Sequence, residues 1–275
     1  EFVEAMEEVS GINLKQFRRW YKQSGTPVVN VQSSFDAEAK TYSLSFSQSC
    51  PTTPGQSHKK PFVIPIKLGL VDAHGQDLPL NSQGDQSIVF SRYDNSQTLV
   101  FENIQQPPVP SLLRGFSAPI KLDYKYTSNQ LAHLMAHDSD GFNRWDAGQK
   151  LSLLVLNRLI DDAKAKRELV MDQQLITVFG ELLKDHSLDP AMVNLMLQLP
   201  SEAQLHEQAE TIYVDAIHSA REFARQSIAT ALQEQLVATY KRLTDNQDYA
   251  PEAQQIGRRA LRNCALGYLM QIETV

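Results

Sequence analysis

Tyr42-Ser43-Leu44-Ser45-Phe46 alternates large apolar with hydroxyl side chains, and a period of two places Tyr42, Leu44 and Phe46 on one face of a strand. The same texture extends outward in both directions. From Thr26-Pro27 to about Tyr126, short β-rich runs alternate with clusters of Pro, Gly, Asn and Asp. The runs at 28–31, 62–71, 87–90, 98–101, 112–114 and 120–124 predict further strands, and Asp72-Ala73-His74-Gly75 predicts a turn. About seven strands at this spacing predict a β-sandwich over 25–126.

Past Thr127 the period changes from two to that of a helix. Leu131, Leu134 and Met135 begin it, followed by Trp145, Leu151, Leu154, Val155 and Leu159. Asp189-Pro190 reads as an N-cap followed by proline at the first helical position, Ser201 as another cap, and Ala250-Pro251 as the start of a last helix. A long helix is expected over 213–243, with Val214, Ile217, Ile228, Leu232, Leu236, Tyr240 and Leu243 facing the core. Residues 127–275 therefore predict an all-α domain of antiparallel helix pairs, solenoid or bundle, that is still incomplete at its end. Residues 1–24 predict a short helical remnant. Glu1-Phe2-Val3-Glu4-Ala5-Met6-Glu7-Glu8-Val9 is amphipathic, and Asn13 caps a second helix with Leu14, Phe17, Trp20 and Tyr21 on its apolar face and Gly25 past its end. The chain opens in a helix without a methionine, and 266–275 remain helical in pattern. The expectation is a piece of a longer chain, with Leu266 and Leu269 packing on its continuation.

The formal charge of −6 is interspersed along the chain and offers no basic stripe for nucleic acid. No apolar run approaches the ~20 residues that cross a bilayer. Cys50 and Cys264 lie in segments of different expected folds, which argues against a disulfide framework and suits a reducing compartment. A soluble, cytoplasmic protein without nucleic-acid or membrane partners is expected.

The strongest hint of chemistry is His133-Leu134-Met135-Ala136-His137, two imidazoles one helical turn apart, as in a zinc pair. The glutamate of H-E-x-x-H, which takes the proton from metal-bound water, is replaced by Leu134. Asp138 and Asp140 could be drawn in as further ligands, but histidines at i and i+4 arise often by chance and read as ordinary surface or interdomain residues. His58, His74, His186, His206 and His218 are scattered without cysteine or paired carboxylates at ligand spacing. Cys50 stands in the loop Cys50-Pro51-Thr52-Thr53-Pro54 with no helix N-terminus to lower its pKa. Arg18-Arg19 and Arg258-Arg259 with Arg262 read as solvated helix faces paired with carboxylates such as Glu252. The Trp20-Tyr21 pair reads as packing. No catalytic, cofactor-binding or metal-ligating residue is assigned.

Three segments carry a resemblance: Phe17-Arg18-Arg19-Trp20-Tyr21-Lys22-Gln23-Ser24-Gly25-Thr26-Pro27, the stretch from Gln48 through Pro51-Thr52-Thr53-Pro54-Gly55-Gln56 to Lys60-Pro61 and Ile64-Pro65, and Gln106-Pro107-Pro108-Val109-Pro110-Ser111-Leu112-Leu113-Arg114-Gly115-Phe116-Ser117-Ala118-Pro119. Phe142-Asn143-Arg144-Trp145-Asp146-Ala147 and Arg259-Ala260-Leu261-Arg262-Asn263 add to it. Together they resemble bacterial aminopeptidase N, of the gluzincin metallopeptidases. The resemblance implies a parent hydrolase in which one zinc, bound by H-E-x-x-H in a separate domain, activates water to remove the N-terminal residue of a peptide. A G-x-M-E-N motif there holds the substrate's amino group. Neither motif occurs here, and Glu4-Ala5-Met6-Glu7 lacks the glycine and asparagine. The implied role of this chain is to space and help cover the active site, with the rest of the polypeptide as its partner. The alternative is a stand-alone β-sandwich plus helical module that docks partner proteins.

Overall fold

A computed structural model of the chain describes residues 1–92, 94–244 and 249–272. It divides into two compact units, Glu1–Tyr126 and Thr127–Val275. In the first, helices α1 (Phe2–Ser10) and α2 (Arg19–Lys22) precede strands β1 (Val28–Asp36), β2 (Thr41–Ser49), β3 (Ile64–Val71), β4 (Ile88–Arg92), β5 (Ser96–Phe101), β6 (Val109–Leu112) and β7 (Lys121–Asp123). They form two sheets, ordered β5-β2-β1-β7 and β4-β3-β6; only β1 and β7 run parallel. This is the β-sandwich read from the sequence. Tyr42, Leu44 and Phe46 do share one buried face, and Ile64, Ile66, Leu68 and Leu70 of β3 meet them from the opposite sheet. Each such side chain, withdrawn fully from water, contributes on the order of 1.5–3 kcal/mol before ordering entropy is counted.

The outer side of the smaller sheet is also dry around Gly69 and Ser111, though not at Val89 and Ser91 of β4, which alternation alone did not foretell. Arg114, expected in a strand over 112–114, instead follows β6 in a 3-10 turn, Arg114–Phe116, where Leu113, Gly115 and Phe116 all have φ near +60°. Left-handed backbone at Leu113 and Phe116 costs roughly 1–2 kcal/mol each. The turn folds the Arg114 side chain, 3% exposed, back over the sheet. Its Nε donates to Ser111 Oγ at 2.8 Å, and Nη2 and Nη1 reach the two oxygens of Asp77 at 2.5 and 3.3 Å. Ser111 is paired in register with Gly69 of β3, and a Cβ on Gly69 would stand 2.2 Å from Arg114 Cζ. Glycine here is the space that the guanidinium occupies.

The expected second helix shrinks to α2. Asn13 Oδ1 accepts from Lys15 N at 2.9 Å and holds a turn rather than a longer helix. Tyr21 is exposed, whereas Trp20 packs on Phe62 with ring centroids 4.6 Å apart and donates from Nε1 to Val63 O at 2.8 Å.

The second unit contains, among the described residues, α3 (Ser128–His137), α4 (Gly141–Lys164), α5 (Gln173–Lys184), α6 (Pro190–Met196), α7 (Glu202–Gln208), α8 (Val214–Ala231), α9 (Gln233–Leu243) and α10 (Ala253–Leu269). Five of them start at side-chain caps: Thr127 and Ser201 in capping boxes with Gln130 and Gln204, and Asp140, Asp172 and Asp189 accepting from backbone N–H groups. Neither α8, α9 nor α10 has one. The single helix expected over 213–243 is kinked at Leu232, and Val214 and Leu154 are exposed rather than core residues. Leu232 is buried, and its Cδ2 would lie 3.1 Å from a Cβ on Gly180 of α5, so the kinked residue packs closely on a neighbouring helix where only glycine leaves room. The last helix begins at Ala253, two residues beyond Pro251. Leu266 is partly exposed and Leu269 half-buried, and residues 273–275 of the expected helical tail lie outside the described residues.

Replacing Arg114 by Ala should lower the urea-unfolding free energy of the sandwich unit by ~3–5 kcal/mol, because the nearly buried Asp77 carboxylate loses its guanidinium. Gly69→Ala should cost a comparable amount alone and much less in the Arg114→Ala background. Additive losses would contradict the contact.

Candidate functional site

The two imidazoles expected one turn apart do sit together on α3, with ring centroids 5.0 Å apart. What surrounds them is structural. Leu134, at the position where a zinc peptidase helix carries its glutamate, is 3% exposed and part of the core of the helical unit. Asp138 caps the end of α3, is buried, and accepts from Asp140 N at 2.9 Å; Asp140 caps α4 through Asn143 N at 3.0 Å. Arg144 closes the arrangement, donating from Nε to Met135 O at 2.9 Å and from Nη2 to Ala136 O at 2.7 Å. A cation on the carbonyls at the end of α3 also opposes the negative end of the helix dipole. Oδ1 of each carboxylate is thus taken up by backbone N–H groups of the α3–α4 corner.

Zinc requires three or four converging donors. Among the described residues no group of three or more His, Cys, Asp or Glu side chains could hold a metal ion. The residues present do not fit the zinc that the resemblance implies, and no step through that metal is assigned to them. The other histidines are dispersed: His58, His74 and His186 are exposed, His206 is half-buried, and His218 Nδ1 meets Glu202 Oε1 at 2.9 Å. Cys50 lies against the sandwich core with Sγ 3.8 Å from Ser24 O. Arg18 pairs with Glu4 at 3.0 Å and with Glu7. Arg259 is held by Gln255 Oε1 at 2.9 Å, Ala250 O at 3.2 Å and the face of Tyr249, with no role for Glu252.

The first two resemblance segments explain each other. Gln23 and Lys60 exchange Nε2–H···O of 2.9 Å and N–H···Oε1 of 2.7 Å; Gln56 Oε1 accepts from Ser24 N at 3.0 Å while its Nε2 donates to Lys22 O at 2.9 Å. Gln48 does the same for both backbone groups between it and Phe62, at 3.1 and 2.8 Å. Lys59 Nζ sits in a cradle of uncharged oxygens: Ser24 O at 2.9 Å, Thr53 Oγ1 at 2.6 Å and Gln56 Oε1 at 2.7 Å. Arg19 donates to Pro61 O. These side chains satisfy backbone groups around the short helix α2 and in the loop after β2 that no strand ladder reaches. Their pattern is a clasp that fixes 16–25 to the loop 48–63, and it leaves no reactive group free.

Two tests follow from the α3–α4 corner. Leu134→Glu, which writes H-E-x-x-H into the helix, should leave zinc uptake unchanged after dialysis and lower stability by roughly 3 kcal/mol through lost burial; stoichiometric zinc would refute the corner as described. Burial is the main cause that holds the His137 imidazole below its usual pKa, with His133 and Arg144 acting in the same sense and Glu181 opposing. A base harder to protonate when folded makes stability fall as pH drops through the ordinary imidazole range, and full stability lies above it. His137→Gln should therefore lose less stability than the parent chain between pH ~7.5 and ~5.5; an equal loss would exclude His137 as a source.

One feature of the helical unit had no sequence signal beyond two arginines at i and i+4. Arg221 and Arg225 of α8 open, with Asn263 and Cys264 of α10, into a cavity of about 650 Å³. Helix packing, not local pattern, assembles it.

Residues 25–125 match the family model described as a domain of unknown function (DUF3458) with an Ig-like fold, and residues 128–275 the model described as a domain of unknown function (DUF3458_C), ARM repeats. The ARM description favours the solenoid of the two helical alternatives. Among curated proteins, aminopeptidase N of Escherichia coli (strain K12) is 38% identical over 275 residues, all of this chain and 32% of that protein. Aminopeptidase N of Haemophilus influenzae is 37% identical over 270 residues, 98% of this chain and 31% of that protein. The crystal structure of Legionella pneumophila aminopeptidase A in complex with aspartic acid matches with a TM-score of 0.82 at 26% identity, over 98% of this chain and 30% of that one. The chain spans about a third of the length of the curated relatives it matches. It therefore belongs to the family of the Ig-like and ARM-repeat domains DUF3458 and DUF3458_C, and over its whole length it is the counterpart of one segment of bacterial aminopeptidase N.

Proposed function

We propose that this chain is the non-catalytic segment of a zinc-dependent aminopeptidase, a hydrolase that removes N-terminal amino acids from peptides. The sandwich spaces a catalytic domain from the helical array, and the helical array helps cover the active site. The observation that carries this reading is the 38% identity running through the whole chain against one third of aminopeptidase N. The partners are the rest of the same polypeptide and, for the parent, its peptide substrates. One zinc belongs to that remainder, where the donor set missing here would lie. The domains are 1–24 as terminal helices of the catalytic domain, 25–126 as the sandwich and 127–275 as the first part of the helical domain. The exposed stripe Phe2, Met6 and Val9 on α1 supports the first of these, since an amphipathic helix without a buried residue lacks the surface it was built to cover. No described helix is long and apolar enough to cross a membrane, which is compatible with the cytoplasmic location proposed for the parent.

The coding sequence upstream of Glu1 should contain H-E-x-x-H and G-x-M-E-N, and the protein that includes it should bind one zinc and release amino acids from aminoacyl reporters. The 275-residue chain alone should do neither. Zinc with chelator-sensitive hydrolysis in the chain alone, or a start codon directly before Glu1, would overturn the reading; the second result would leave a stand-alone interaction module.

A further inference from the structure

The cavity between α6, α7, α8 and α10 has the chemistry of a binding site that the enzyme reading does not use. Its volume of about 650 Å³ suits a small ligand. Arg221 and Arg225 stand one turn apart on the same face of α8. Arg225 is engaged: Nη1 donates to Glu222 Oε1 at 3.0 Å, and the Gln271 carboxamide, oriented to satisfy both its ends, bridges Arg225 Nη2 at 3.0 Å and Glu222 Oε2 at 3.2 Å. Arg221 is anchored only at its stem end, where Nε donates to Pro200 O at 2.9 Å. Its Nη1 is 3.8 Å from Glu222 Oε1, too far for a hydrogen bond. The fork of a guanidinium whose base is fixed and whose outer N–H groups have no hydrogen-bond acceptor among the described residues is preorganised for a bidentate oxyanion.

The remaining wall sets which oxyanion. Asn194, Gln198 and Asn263 contribute carboxamides, which both donate and accept, and Tyr268 and Leu197 give an apolar floor fixed by Tyr268 Oη donating to Leu197 O at 2.6 Å. Cys264 stays a neutral thiol, pushed up to about 11 by burial, and so brings no competing anion. Glu222 offsets one of the two guanidinium charges, and the Glu202 carboxylate, bonded to His218, also acts on Arg221. Little net positive charge remains, which disfavours a phosphate dianion; the fork of Arg221, rather than net charge, is what suits a single carboxylate.

We propose that this cavity binds a monocarboxylate bearing amide groups, such as a short peptide held by its C-terminal carboxylate, with Arg221 as the bidentate partner and the carboxamides of Asn194, Gln198 and Asn263 along its backbone.

Titration of the 275-residue chain with the tripeptide Ala-Ala-Ala, followed by amide NMR shifts, tests this. Saturable shifts are expected on α8 and α10, with the C-terminally amidated tripeptide binding at least ~10-fold more weakly. Arg221→Gln should abolish the difference between the two tripeptides. Asn263→Asp, an exposed substitution that adds a like charge to the ligand, should weaken only the free-carboxylate form and serves if Arg221→Gln fails to fold. Inorganic phosphate should not compete at equal concentration. Equal binding of the two tripeptides, competition by phosphate, shifts elsewhere in the chain, or no binding by either tripeptide would each overturn the assignment.

Discussion

A guanidinium kept from water against a bare stretch of sheet is the constraint on which the sandwich unit turns. Arg114 lies over Gly69, bonded to Ser111 and Asp77, and through them ties β6, β3 and the loop after β3 into one dry layer. Taking an ion pair out of water is costly and is offset only when the geometry is good and the remaining donors find acceptors. The same turn has left-handed backbone at Leu113 and Phe116, and it places Leu113 in the apolar core while Arg114 covers the other face. The interaction is less a source of stability than a device that permits one path for the segment 109–119.

A second polar device does the same for the entry to the sandwich. Segment 16–25 holds only the short helix α2, and 50–63, with Pro51, Pro54 and Pro61, has no regular strand, so many of their backbone groups find no partner in a helix or ladder. Gln23, Gln48 and Gln56 each present both ends of a carboxamide to a backbone donor and acceptor, and Lys59 neutralises no carboxylate but gathers three oxygens. The segments that carry the family resemblance are thus recognisable because their side chains bond one another, a structural cause rather than a catalytic one.

The helical unit separates the look of a metal site from its substance. His133 and His137 have the right spacing, yet the residue between them faces the core and the two neighbouring aspartates cap helices. The cavity beside α8 is the reverse case. Its residues come from four helices far apart in the chain, and the guanidinium of Arg221 among them is hydrogen-bonded, within the described residues, only through Nε.

Local pattern was enough for much of the architecture. Alternation at 42–46 marked the sandwich, the change of period at Thr127 marked the helices, and Asp189-Pro190 and Ser201 marked true caps, because each depends on neighbours within a few residues. The absence of a glutamate at Leu134 likewise was readable without coordinates. Tertiary structure alone decided the rest. The kinked Leu232 packs against Gly180 on another helix, the turn at Arg114 is held by Gly69 and Asp77 on other segments, and the Arg221 cavity arises from the packing of α6, α7, α8 and α10. Sequence speaks about contacts whose partners are near in the chain; burial of a charge, or a donor left without an acceptor, is fixed only when distant segments meet.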